Sequence, residues 1–280
     1  MAALPRLLFL RCVRALLLLS LAAAAHAAPP GHDHTAWDAL VARHVQWNDS
    51  GTATTVDYDG YARDRAALDA YLAALAAVPA TEFEQWPRAE RMAFLINAYN
   101  AATVVLVLDH WPGLESIRDI GGWFSSPWKR RFVPLLGATR TLDEVEHEML
   151  RGAPDFDEPR IHFAVNCASV GCPALRPEAY TGDRLAAQLD DQTRRFLRDR
   201  TRNHWDAATA TLTLSKIFDW YDEDFSRGGF DGVADFAARH AAELADSAEA
   251  RGRIGRGAFD LDYSDYDWAL NRSGPSEATR

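Results

Sequence analysis

The apolar positions along the chain change period several times, and each change marks an element. Trp37, Leu40, Val41, His44 and Val45 recur at helical spacing and predict an amphipathic helix to about Asn48, ended by Asp49-Ser50-Gly51. Thr52 to Tyr58 is rich in β-branched residues and reads as extended, with Asp59-Gly60 as its turn. Leu68, Tyr71, Leu72 and Leu75 mark a second helix closed by Pro79. Arg88 to His110 is apolar on nearly every side, which predicts a long helix at the middle of the fold. Phe132 to Leu142 reads as a hairpin and Asp143 to Arg151 as a short acidic helix capped by Thr141. Ile161 to Asn166 reads as a buried strand, Asp183 to Arg198 as a helix and Trp205 to Leu214 as a second hairpin. Ser215 caps a helix through Ile217, Trp220, Tyr221 and Phe225, and Asp231 to Leu244 is the last amphipathic helix. Phe259-Leu261-Tyr263 alternates like a strand. Together these predict an α+β fold, mostly helical, with a small antiparallel sheet and a buried central helix.

The N-terminus follows a different logic. Arg6, Arg11 and Arg14 precede an apolar run from Ala15 to Ala25, and Ala25-His26-Ala27 is a small-x-small cleavage site, so residues 1–27 read as a secretory signal peptide. The run is too short for the roughly 30 Å bilayer core, and no membrane span is expected. Residues 28–34 form a linker, 35–272 a single domain and 273–280 a disordered tail. Without its signal the chain carries 27 basic and 40 acidic groups, a net charge of −13. That charge repels phosphate, so nucleic acid is excluded as a partner. The expected location is the periplasm or the exterior, where a disulfide forms.

Val56-Asp57-Tyr58, the segments 94–101, 161–173 and 214–221, Glu146-His147 and Asp265-Tyr266-Asp267-Trp268-Ala269-Leu270-Asn271 together resemble the domain of unknown function 547 family. The blocks run in order from about Val56 to Asn271. The resemblance implies secretion, as in many bacterial members, and carries no substrate, cofactor or mechanism, so chemistry has to come from the residues.

The segment Ile161 to Cys172 is the sharpest feature. On a strand, His162, Ala164 and Asn166 share a face and deliver into Cys167-Ala168-Ser169-Val170-Gly171-Cys172, a small-residue loop with an approachable thiol. This predicts Cys167 as nucleophile, His162 or His147 as its base, and Asn166 with backbone amides near Ser169 receiving an oxyanion. Glu146 or Asn166 orients whichever imidazole acts. Such a protein is a hydrolase or acyl transferase similar to the papain-like thiol hydrolases. The rival reading is a Cys167–Cys172 disulfide, which leaves no nucleophile and makes the protein a non-catalytic envelope binding module.

Three further groups complete the candidates. Glu90, Asn97 and Asn100 share one stripe of the central helix and either contact a ligand or tie down loop backbone. Trp123 and Trp128, with Phe124, lie in a Gly/Ser loop suited to a small-molecule, peptide or glycan ligand, whereas Trp220 and Trp268 are expected inside the core. Glu144, His147 and His162 are a weak metal set, and neither a metal nor another cofactor is expected.

Overall fold

The computed structural model describes residues 32–121 and 126–274. The signal-peptide segment, residues 28–31 of the expected linker, Trp123, Phe124 and residues 275–280 of the expected tail lie outside the described residues.

Six short elements precede the centre: α1 (Thr35–His44), β1 (Val45–Trp47), β2 (Thr54–Val56), α2 (Tyr58–Arg63), α3 (Arg65–Ala76) and α4 (Ala80–Phe83). α1 stops earlier than the apolar spacing predicts because Val45–Trp47 turns extended and pairs antiparallel with β2, Val45 opposite Val56. Asp59-Gly60, expected as a turn, is instead the first turn of α2. Asp57 caps it by accepting the Gly60 N–H at 2.8 Å. A Cβ on Gly60 would lie 2.4 Å from His44 Nδ1, so the glycine is required by close packing.

α5 (Arg88–Leu108) is the predicted central helix, and every residue from Met92 to Leu108 is buried. It is the one helix among the described residues that is long and apolar enough to cross a membrane, but it is covered by protein. Trp37, Tyr61, Tyr71, Phe94 and Leu95 belong to the core around it. Next come the predicted hairpin, β3 (Val133–Leu135) with β4 (Ala138–Arg140), and a π-helical segment, Glu144–Leu150. Thr141 caps that segment as expected: its hydroxyl accepts the Glu144 N–H, and the Glu144 carboxylate accepts the Thr141 N–H, both at 2.9 Å.

The predicted strand Ile161 to Asn166 is absent. Pro159–Phe163 is a 3-10 helix, started by Pro159 in its first turn and by Glu158, whose side chain accepts the Arg160 N–H. α6 (Leu185–Leu197) follows. β5 (His204–Asp206) and β6 (Thr211–Leu214) form the second expected hairpin, and β7 (Asp260–Tyr263) adds to β6 in parallel, so this three-stranded sheet is mixed. α7 (Ile217–Trp220), α8 (Gly232–Arg239), α9 (Ala241–Leu244) and α10 (Ala248–Ile254) surround a second apolar cluster built on Phe163, Phe196, Phe218, Phe225 and Phe236. The fold is α+β, helix-rich with small sheets.

Both ends of the expected domain are more ordered than their composition predicts. Ser273, placed in the tail, donates its N–H to Val56 O at 2.9 Å. His34, placed in the linker, is buried with Nδ1 2.7 Å from the Tyr71 hydroxyl. His32 packs edge-on against Phe94. Burial holds the His34 imidazole down to about 3, helped by the neighbouring His32 and opposed by Asp33. Folding therefore excludes a proton that the unfolded chain takes up below its ordinary value near 6.5, so stability is complete above that pH and falls as pH drops toward 3. Urea unfolding followed between pH 7.5 and 4.5 is expected to show this loss, about 1.4 kcal/mol per pH unit from this group. The slope should shrink by that amount in His34→Phe; an unchanged slope would contradict the assignment.

Candidate functional site

From Ala164 to Arg184 the chain has neither helix nor strand beyond one bridge, Ser169 to Leu270, yet nearly all of it to Leu175 is buried. Its peptide groups need partners, and side-chain amides on two helices supply them. Asn100 on α5 accepts the Asn166 N–H at 2.8 Å and donates to Ala164 O at 3.0 Å. Asn97, one turn away, holds both the N–H and the carbonyl of Tyr180. Gln192 on α6 donates to Phe163 O and Ala174 O, and Gln188 donates to Ala179 O. Asn97 and Asn100 are thus backbone latches, not the ligand contacts that one reading expected. Glu90, the third member of that stripe, is spent on the same loop: burial pushes its carboxyl up, the Gly182 N–H pulls it down, and Gly182 has no room for a Cβ beside it.

Asn166 is also committed. It donates to Pro173 O at 2.7 Å and accepts the Ala168 N–H at 2.9 Å, which holds Ala168 in the left-handed region at φ 64°. The N–H groups of Cys167, Val170, Gly171 and Cys172 are bonded to Cys172 Sγ, Ala269 O, Asp267 O and Ser169 O. With Ala168 on Asn166, these five amides and the Asn166 side chain are bonded within the fold and are not free to receive an oxyanion as they stand.

Cys167 and Cys172 are joined in a disulfide, with Cα atoms 6.0 Å apart. Of the two readings of this pair the structure adopts the bonded one, so Cys167 has no thiolate with which to act as the expected nucleophile. The segment 266–272 clasps the loop from outside. Asn271 donates its backbone N–H to Ala168 O, and its side chain joins Tyr58 to Asn166 through bonds of 2.8 and 3.4 Å. Tyr266 lays its hydroxyl across the sulfurs, 3.2 Å from Cys167 and 3.1 Å from Cys172. Ser169, expected to meet substrate, is buried, with its hydroxyl 3.1 Å from Cys167 Sγ and 3.3 Å from Tyr266.

His162 is buried and stacks on Tyr221 at 4.0 Å between ring centres. Its Nε2 lies 2.6 Å from Asp224, which also receives Arg151 at 2.5 Å. Burial pushes Asp224 up, but His162 and Arg151 outweigh this and hold its carboxyl far below the usual range. Burial likewise pushes His162 down against the pull of Asp224, leaving a neutral ring. Facing a carboxylate, Nε2 carries the hydrogen, and Nδ1 is a buried acceptor with no partner among the described residues. Neither Asp224 nor Arg151 stood out in the sequence; the only signal was an acidic residue inside an apolar periodic stretch before Phe225.

His147 is half-exposed and lies 3.0 Å from Arg151, whereas Glu146 is buried and accepts the Tyr221 hydroxyl at 2.8 Å. The wider π-helical turn breaks the expected i, i+3 alignment of Glu144 with His147, and Glu144 is taken by Arg131 and Thr141. The weak metal set is therefore not assembled.

These groups line one cavity of about 240 Å³ where the two apolar clusters meet. Asp143, Glu146, His147 and His162 supply its polar lining, and the disulfide and Val165 another part. Trp128, Trp220, Tyr266 and Trp268 form an aromatic wall, with Tyr266 and Trp268 centres 4.5 Å apart and Trp220 4.7 Å from Tyr266. Trp220 is 43% exposed, contrary to the core position expected for it, because α7 ends after one turn with only Ile217 and Phe218 inside. Trp268 is half-buried in the same wall.

The molecule is thus a helix-rich α+β protein with a disulfide-walled aromatic cavity. The family model described as "Protein of unknown function, DUF547" matches residues 83–197, about two fifths of the chain, and that segment is similar to the family. No curated protein and no solved structure matches the chain, so the expected likeness to papain-like hydrolases finds no support there. The match spans α5, the π-helical segment, the disulfide loop and α6. Tyr58, Tyr221, Tyr266 and Asn271, from resemblance blocks outside it, meet the matched residues at the cavity or the loop beneath it.

Asn100 separates latch from ligand contact. Asn100→Leu strands the Ala164 carbonyl and the Asn166 N–H, at about 1–3 kcal/mol each, so urea unfolding is expected to show a loss near 3 kcal/mol. A loss under about 1 kcal/mol would mean the loop is held by something else.

Proposed function

We propose that the protein is a secreted binding module that takes a neutral, hydroxyl-rich ring compound, a glycan unit, in this cavity. The observation that carries the reading is the aromatic wall, which leaves Trp220 open at the surface although the fold has an apolar cluster beside it to bury it in. Sugar rings present C–H faces that pack on indoles, and their hydroxyls donate to carboxylates and imidazoles. Glu146, Asp143 and His147 offer those acceptors around the same cavity. The acidic lining and the net negative charge work against anionic ligands. Titration of the protein with neutral and N-acetylated oligosaccharides is expected to change tryptophan emission. Trp220→Ala and Trp268→Ala should each weaken binding about tenfold, as loss of a stacked ring does. No response to any neutral saccharide would sink the reading.

A second reading is favoured by one specific observation, the Asp224-held imidazole in the cavity that also holds Cys167. A reduced Cys167 in the same cavity as His162 would supply the two groups that a thiol-dependent hydrolase or acyl transferase uses. That reading expects p-nitrophenyl acetate turnover only after reduction, abolished in Cys167→Ser; turnover that survives the substitution removes it.

A further inference from the structure

We propose that the Cys167–Cys172 disulfide is a reactive site for small thiols, in which an incoming thiolate attacks Sγ of Cys167 and Cys172 departs as the thiolate. Glycan binding is not required for this chemistry. The two sulfurs sit in different surroundings. Both line the cavity, but Cys172 is buried whereas Cys167 is partly exposed, so an attacking sulfur reaches Cys167 more readily. The donors are arranged the other way. The Cys167 backbone N–H points at Cys172 Sγ at 2.9 Å, the Tyr266 hydroxyl lies 3.1 Å from it and the Ser169 hydroxyl 3.6 Å.

Each hydroxyl also touches Cys167, but a hydroxyl proton swings to whichever sulfur becomes charged. Only Cys172 has the fixed backbone donor as well. Burial keeps the Tyr266 phenol protonated and therefore a donor. Exchange is faster when the leaving sulfur is the better-stabilised thiolate and the attacked sulfur is the accessible one, and both conditions select the same direction here. A staple closing a loop in the fold interior needs neither an opening nor donors for a charge. The cavity, about 240 Å³, suits a small thiol and not a folded partner.

The electrons balance without another oxidant. The first thiolate forms a sulfur–sulfur bond to Cys167, and the Cys167–Cys172 bond breaks with its electron pair on Cys172. A second thiolate then attacks the sulfur of the first, which releases Cys167 as thiolate and leaves the small thiol as its own disulfide. Two electrons pass to the protein, and the protons released by the two thiols protonate the cysteines or remain in solvent.

Glutathione is the probe. The oxidised full chain is exposed to millimolar glutathione, quenched with iodoacetamide and digested for mass analysis. The expected product carries glutathione on Cys167 and the alkyl group on Cys172, in about tenfold excess over the reverse. An excess of the reverse product, or no adduct while circular dichroism shows the chain folded, overturns the proposal. Tyr266→Phe keeps the ring and deletes one donor, so reduction should slow about tenfold; an unchanged rate in the folded variant also overturns it.

Discussion

The structure depends on one constraint: a long stretch without helix or strand runs through the interior, and each buried peptide group in it must be bonded. A sheet would satisfy those groups by repetition. Here Asn97, Asn100, Gln188 and Gln192 do so individually from α5 and α6. Asn97, Asn100 and Gln188 each offer the backbone a donor and an acceptor, and Gln192 donates to two carbonyls, so the cost of burying these amides and peptide groups is offset by the bonds between them. The helices are thereby fixed at the distance the amides reach, and the loop acquires one conformation.

That arrangement is what places the cavity. With Ala164 and Asn166 pinned to α5, the chain turns so that Cys167 faces the seam between the two apolar clusters instead of continuing as a strand. Gly171 lets the C-terminal segment approach: a Cβ there would lie 3.0 Å from both Asp267 O and the Tyr266 ring. Tyr266 and Trp268 then close one side of the seam, and Asn271 bonds back to Tyr58 and Asn166. Residues more than 200 positions apart in the chain meet in this one network.

Much of the fold was legible because it rests on local signals. The all-round apolar character of 88–110, the Thr141 cap and the two hairpins lie where the pattern predicts. The site was legible as a place and misread in its roles. Asn97 and Asn100 are polar residues on a buried helix, and the residues alone leave open whether their partner is a ligand or backbone 64 or 83 positions away. The strand at 161–166 failed because alternation of His162, Ala164 and Asn166 with apolar residues also fits a segment buried on all sides, and Pro159 starts a 3-10 turn before any ladder forms. Trp220 was misplaced since periodicity was carried past the end of a one-turn helix. Asp224 and Tyr266 gave almost no signal, because their roles exist only where distant segments meet.

The groups that break local rules collect around this seam. His162 and Asp224 are a buried ionisable pair where apolar side chains of similar volume would serve stability as well or better. The lone pair on His162 Nδ1 has no partner among the described residues, Ala168 holds a backbone conformation that disfavours its Cβ, and Trp220 is exposed beside a core that accepts aromatics. A fold selected for stability alone has no reason to gather such departures at one cavity. The latches and the cavity are therefore separable: the amides account for the loop's shape, and the chemistry of the pocket is the part that stability leaves unexplained.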